Sequence, residues 1–498
     1  MRTKVTTHDL LIIGGGINGC AIAREAALNE LSVLLVERDD LASHTSSAST
    51  GLIHGGLRYL EQYDFRLVAE ALRERERLLH AAPHLIGPMA FVLPHTNAVR
   101  PWLLVRAGLA LYDLLAGRMS LPRSRGLRKA DAAYAAPLKG SPGGFVYSDA
   151  QVDDARLTMA NALDAAANGA EIAVGTALLS ARREDGLWRA RLSDGREVTA
   201  RALVNAAGPW VGEALGRLGV NANGGVRLVK GSHIVVPRLY EGDHAYILQQ
   251  PDRRIVFAIP WRGRTEIGTT DVPVERPEDA VIDQGEVAYL CDAANRHFTR
   301  QIAPADVVAT WSGVRPLYDD GASAAQVVSR DYVLELDSNG PALLSVFGGK
   351  ITTARHLAEK AMGKLAPALG VAAEHVSRDR PFPGGDIDDF DAFLAEVRAR
   401  WPFLGEARSA RMAHAYGSRL RLMLAEVRSE TDMGEAFGAG LTAVEARWMR
   451  ECEWARTAAD MLERRSKLGL EMTPAERARL EAWCAAEAGP EKALSYTA

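Results

Sequence analysis

Residues 9–37 run DLLIIGGGINGCAIAREAALNELSVLLVE. The apolar run Leu10–Ile13 leads straight into glycine, the pattern of a strand buried on both faces. A helix is predicted through about Asn29, and 32–37 reads as a second buried strand. Strand, glycine turn, helix and strand within about 30 residues open a parallel sheet. In Gly14-x-Gly16-x-x-Gly19, the first glycine permits the tight turn and the second lets a pyrophosphate approach the backbone. The third lets helix and strand pack closely, and the helix N-terminus offers N–H donors to the anion. Glu37 closes the second strand 18 residues after Gly19. Its carboxylate can accept from a ribose hydroxyl and would repel a 2′-phosphate. The plainer alternative is a glycine turn that only allows close packing, and the motif alone does not separate NAD from FAD.

Two further glycine turns follow buried strands, at Asn205–Trp210 (NAAGPW) and Phe347–Lys350 (FGGK). Residues 45–60 (TSSASTGLIHGGLRYL) are small, polar and glycine-rich, so backbone can come close to a flat cofactor. Helices are predicted over 65–80, 101–116 and 152–168. From 226 to 271 short β-branched runs between tight turns predict an antiparallel sheet of different architecture. PFPGG at 381–385 reads as a linker, and a helical domain is expected beyond it. The predicted organisation is an α/β, Rossmann-like FAD-binding domain (1–85, 145–215, 305–375), an antiparallel-sheet substrate domain (86–144, 216–304) and a C-terminal all-helical domain (380–498).

Composition narrows the function. The chain has 498 residues, is 47% hydrophobic and carries a net charge of −4, which excludes general disorder and argues against nucleic acid as a partner. Cys20, Cys291, Cys452 and Cys484 are scattered, with no CxxC spacing, so neither a disulfide framework nor a metal site is expected and a reducing compartment is the default. The short apolar run at 10–13 enters glycines rather than a cleavage site, and the reading is a cytoplasmic protein.

Several motifs together are specific: IGGGINGCAIA (13–23), TSSAS and LIHGGLRYLE (45–61), VNAAGPW (204–210), KGSHIVVP (230–237), IGTTD (267–271), SGVRP (312–316) and LLSVFGGKITTAR (343–355). Over nearly its whole length the chain resembles the FAD-dependent glycerol-3-phosphate dehydrogenases, respiratory enzymes of the glycine-oxidase-like flavoproteins. The resemblance implies oxidation of sn-glycerol 3-phosphate to dihydroxyacetone phosphate by hydride transfer to flavin, with electrons passed to a membrane quinone. It places Gly14, Gly16 and Gly19 on the FAD pyrophosphate and Glu37 on the adenosine ribose. Thr45, Ser46, Ser47 and Gly208 fall along the cofactor, and Gly349, Lys350 and Thr352 at the flavin pyrimidine. Arg58, Arg315, Arg330 and Lys350 are the cations for the phosphate, with Arg315 first because a guanidinium grips phosphate with two parallel bonds. Arg330 is equally readable as a surface ion pair. Tyr59 adds a hydrogen bond and Thr270 orients substrate or water. His233, on a strand, is the candidate base, with His54 as competitor. The family pattern has a basic residue where this chain has Gly51, so no binding role falls to that position.

Helix 101–116 admits two readings: a core helix, or a helix lying in a membrane surface with Trp102 and Tyr112 at the interface and Arg100, Arg106 and Arg118 toward lipid. The second would attach the protein peripherally to the inner face of the cytoplasmic membrane; a homodimer is left open. Rival functions are an oxidase passing electrons to oxygen, a flavin amine oxidase, and a non-catalytic FAD-bound assembly protein.

Overall fold

The computed structural model describes residues 6–96, 100–140, 143–220, 225–319 and 331–487, without the side chains of Arg58 and Gln62. An eight-stranded sheet forms around the opening motif. Thr6–Ile13 lies between Val33–Glu37 and Glu197–Asn205, all parallel, and Ala342–Phe347 continues the parallel order beyond Glu197–Asn205. Glu171–Val174 extends the other side, and Val333–Asp337 closes one edge antiparallel. Helices Ile17–Leu28, Asp154–Ala167 and Ala354–Leu369 contribute to the apolar core against one face, which is why Leu10, Ile12, Val33 and Leu35 are all buried. Ile13 pairs with Val36 and Asn205, and Asn205 with Ser345. The three glycine turns therefore stand side by side at the carboxyl ends of adjacent parallel strands, where open α/β sheets bind ligands.

The second sheet has ten strands and is mostly antiparallel. Its centre is Gly225–Pro237, flanked by Arg264–Gly268 and, for eleven registered pairs, by Ala309–Asp319. It also takes in Gly144–Val152 and Leu52–Ile53. Residues 145–152 and 309–319, which the sequence reading gave to the first unit, hydrogen-bond within this second sheet. Alternation divides Gly225–Pro237 into two faces. Ile234 and Val236 join a core with helix Gln284–Asn295, while His233 lies on the opposite face.

A separate core gathers Phe393, Met412, Trp448 and Met461 in the C-terminal region. That region is helical as expected, with one small hairpin, Ala436–Gly438 with Leu441–Thr442, added. The segment 381–385 is held rather than loose. Phe382 is buried under the Arg24 guanidinium, and its N–H donates to the Ala81 carbonyl.

Candidate active site

The first glycine turn leaves no room for side chains. Gly14 has φ +108°, and a Cβ there would come within 2.5 Å of the Ala206 carbonyl oxygen. Glu37 braces the turn: its two carboxylate oxygens accept from Gly15 N at 2.6 Å and Asp39 N at 2.8 Å. Burial nevertheless raises its pKa, against the pull of those bonds. Ser46 Oγ accepts from Ile17 N, the first amide of the helix, at 2.9 Å. A cleft of about 160 Å³ is lined by Gly14, Gly16, Glu37, Ser46, Gly208 and Gly349. Asn18 also lines it; its Nδ2 donates to the Gly348 carbonyl, while its Oδ1 is buried without a partner.

These residues fit FAD. Bare backbone and a helix N-terminus suit the pyrophosphate, Glu37 suits a ribose, and the lone Asn18 acceptor suits a hydroxyl donor. Asn18 is a site residue that the glycine spacing does not single out, although it stands inside that motif. Thr45 and Ser46 line the cleft. Ser47 does not: it lines the larger neighbouring cleft, its hydroxyl turned to the His44 carbonyl. Thr352 is buried, and its Oγ accepts from His54 N at 3.3 Å, so its hydroxyl holds the 52–56 segment. Gly51 has φ +61°, a conformation that favours glycine over any residue with a side chain.

Residues 45–51 run between the two sheets. Thr45 Oγ donates to the Val314 carbonyl, and Thr50 Oγ lies 3.1 Å from His233 Nε2. The His233 ring rests where Gly268 has no side chain, since a Cβ there would overlap it, and it stacks on Trp311 at 5.7 Å. Burial, with the Arg315 charge second, lowers the imidazole pKa to about 3, so the ring is held neutral. Its Nδ1 has no hydrogen-bond partner. Arg315 donates from Nη1 to Asp271 at 2.6 Å and from Nη2 to Thr269 at 3.3 Å. Lys350 Nζ sits 3.9 Å from the centre of the Tyr59 ring, and its charge helps burial lower His54 to about 4.

Thr270 is engaged within the protein. It donates to Glu286 Oε1 at 2.6 Å and accepts from Ser232 N, inside a buried network completed by Lys230 and Ser312. Thr269 is the residue that reaches Arg315. Arg330 lies outside the described residues, as does the side chain of Arg58. Glu266 is an addition to the site. It is buried on the strand beside His233, its Oε1 3.8 Å from Nε2 and without a hydrogen bond. A lone glutamate in an alternating strand reads as solvent-facing, so the sequence carries no signal for it.

On helix Trp102–Ala116 the inner face holds Val105, Leu109 and Tyr112. Tyr112 is therefore not an interface residue: its hydroxyl donates to Asp149 and accepts from Gly55 N, pinning segment 52–56 from behind. Arg100 is committed to Glu61 and Gln249, and Arg106 to Ser124. Leu103, Leu104 and Leu114 are 80%, 61% and 75% exposed.

Residues 9–355 match the FAD dependent oxidoreductase family. The aerobic glycerol-3-phosphate dehydrogenase of Escherichia coli K12 is 47% identical over 96% of this chain and 97% of its own length. The D-erythritol 1-phosphate dehydrogenase of Brucella abortus is equally similar, at 47% over the same shares. Among solved structures, the glycerol-3-phosphate dehydrogenase from Bacillus halodurans, complexed with FAD, superposes with a TM-score of 0.74 at 26% identity, covering 97% of this chain and 94% of that one. With three glycine turns converging on a cradle that fits FAD, the chain belongs to the FAD-dependent oxidoreductases, in their group of glycerol-3-phosphate dehydrogenases.

Proposed function

We propose that the protein oxidises sn-glycerol 3-phosphate to dihydroxyacetone phosphate and passes the electrons to a membrane quinone. The observation that carries this reading is a buried neutral imidazole, His233, sharing one sheet face with a fixed guanidinium, Arg315, beside the FAD cradle. FAD, held by Gly14, Gly16, Glu37, Ser46, Asn18 and Gly349, supplies the hydride acceptor when bound. The remaining work falls to side chains. Arg315, with Asp271 and Thr269 fixing its orientation, meets the phosphate through its remaining N–H groups. Lys350 and Tyr59 form a second polar end, the ammonium stabilising negative charge near the flavin. His233 takes the proton of the carbon-2 hydroxyl, and its enclosure between Trp311 and Gly268 holds the ring at one angle.

The exposed leucines of helix Trp102–Ala116 support attachment to the membrane surface, where a quinone is met. Among the described residues no helix is long and apolar enough to cross a membrane. The inner face of the cytoplasmic membrane is the location this reading implies.

Anaerobic titration with glycerol 3-phosphate tests the function. Stoichiometric bleaching of the flavin, with slow recovery in air and fast recovery with a quinone, is expected. Fast reoxidation by air would make the protein an oxidase, and no bleaching would remove the enzyme reading. A four-carbon polyol phosphate is the second reading, favoured by the equal similarity to the Brucella abortus enzyme. A higher kcat/KM for D-erythritol 1-phosphate than for glycerol 3-phosphate would select it.

A further inference from the structure

We propose that Glu266 carries the substrate proton from His233 to solvent; this rests on the reading of His233 as the base. Oxidation of a secondary alcohol removes one hydrogen from carbon with its electron pair, taken by FAD, and one proton from oxygen, taken by His233. That proton must leave before the next turnover. The His233 side chain is 1% exposed, with Trp311 stacked on its ring and the Gly268 backbone against it, so with substrate in place a neighbouring group must carry the proton on to bulk water.

Two side chains reach Nε2: Thr50 Oγ at 3.1 Å and Glu266 Oε1 at 3.8 Å. Both line a cleft of about 1500 Å³, bounded also by Trp311 and by Arg464, Arg465 and Lys467 of the C-terminal region. His233 does not line it. Glu266 thus spans the step from the enclosed imidazole to a space that admits water.

A carboxyl buried with an unpartnered oxygen is costly, and its presence against a buried imidazole calls for a use. Its burial favours the neutral carboxyl. Burial raises its pKa well above the usual carboxylate range, Asp154 raises it further, and Lys467, itself bound to Asp153 and Asp154, lowers it only in part. A protonated carboxyl relays without changing its own charge. It takes the proton from Nε2 on the oxygen facing the ring and releases the one it holds into the cleft. His233, which takes the alcohol proton on Nε2 and gives it up from the same atom, is restored directly. Glu266 is restored when its carboxyl turns to bring the new O–H to the cleft side, and one proton leaves per alcohol oxidised.

The test is anaerobic stopped-flow mixing of holoenzyme with glycerol 3-phosphate in weak buffer containing a pH-indicator dye. Flavin bleaching and proton release are recorded together. In the unaltered protein they run at one rate, one proton per flavin. In Glu266→Gln, release falls behind bleaching by roughly 10²-fold, the scale of a lost proton-transfer group. If Glu266→Gln does not retain FAD, Glu266→Met poses the same question with an apolar side chain of similar volume, removing the cost of the buried carboxyl. Glu266→Asp, which keeps a carboxyl, should restore much of the release rate. Release that keeps pace with bleaching in Gln or Met overturns the proposal. So does release as slow in Asp as in Gln, since that assigns the lag to packing. His233→Ala separates the two readings: bleaching at the unaltered rate there removes His233 as base, whatever Glu266 does.

Discussion

Arg315 illustrates how a single side chain is prepared for an anion. Its Nη1 and Nη2 are held by Asp271 and Thr269, so the charge is oriented before substrate arrives. Arg315→Ala should weaken phosphate-bearing substrate by about 1.5–3 kcal/mol, the worth of a hydrogen bond to a charged group. Glycerol, without the phosphate, should be a poor substrate for both forms and nearly unaffected. Steady-state kinetics on the two substrates measure the difference; equal losses would assign Arg315 to the fold. His233 lies within strand Gly225–Pro237, whereas Thr270 lies in the segment after strand Arg264–Gly268, where the pleat no longer sets its direction. Both sit in recognisable motifs, but His233 faces residues 45–51 while Thr270 turns to Glu286 on the helix behind the sheet. A motif names residues; the direction each one takes depends on where its segment stands in the fold.

Helix Phe65–Ala81 and helix Ala354–Leu369 are joined through His356. Its Nδ1 lies 3.0 Å from Glu359 and its Nε2 3.4 Å from Glu70 across the interface. Glu359 first and Glu70 second raise its pKa from 6.5 to about 9. Because the folded value is the higher, the linked stability is fully present below pH 6.5 and is lost as pH rises through about 9. His356→Gln should therefore lower stability by about 2 kcal/mol at pH 6 and by little at pH 10. Thermal melts at the two pH values give the comparison; equal penalties would mean the ring acts by packing alone. Helix Trp102–Ala116 is two-sided in another way. Trp102 packs on Phe145 at 4.1 Å, so the cleaner probe of the outer face is Leu103→Ser with Leu114→Ser. Membrane-bound protein should shift to the soluble fraction on sedimentation with lipid vesicles, while flavin reduction by substrate is kept. Unchanged binding would move the contact to another surface.

The C-terminal region is fastened to the cofactor domain by charge buried at the seam. Arg465, fully enclosed, and Arg464 both pair with Asp40, three residues beyond Glu37. Arg156 pairs with Glu453 at 2.6 Å and stacks on Tyr416, and Lys467 meets Asp154. Removing one partner of such a pair leaves a buried charge unanswered and costs about 3–5 kcal/mol. Asp40→Asn should lower the melting temperature, open the seam to limited proteolysis and weaken FAD retention, because the ribose-side loop is anchored there. Proteolysis and flavin content unchanged from the parent would show that the seam stands on its apolar contacts. Much of this molecule is readable without coordinates. The glycine turns, the parallel strands they follow, the helices and the FAD cradle are all written in local spacing, because a tight turn, a close backbone approach and a buried strand each demand particular residues at particular intervals. Contacts between distant segments are not written that way. Strands 144–152 and 309–319 join the second sheet, Glu266 comes to lie against His233, and Asp40 meets Arg465 across more than 400 positions of chain. Each depends on which surfaces bury one another when the chain closes, and burial turns an ordinary glutamate or aspartate into a group whose charge the whole fold must answer.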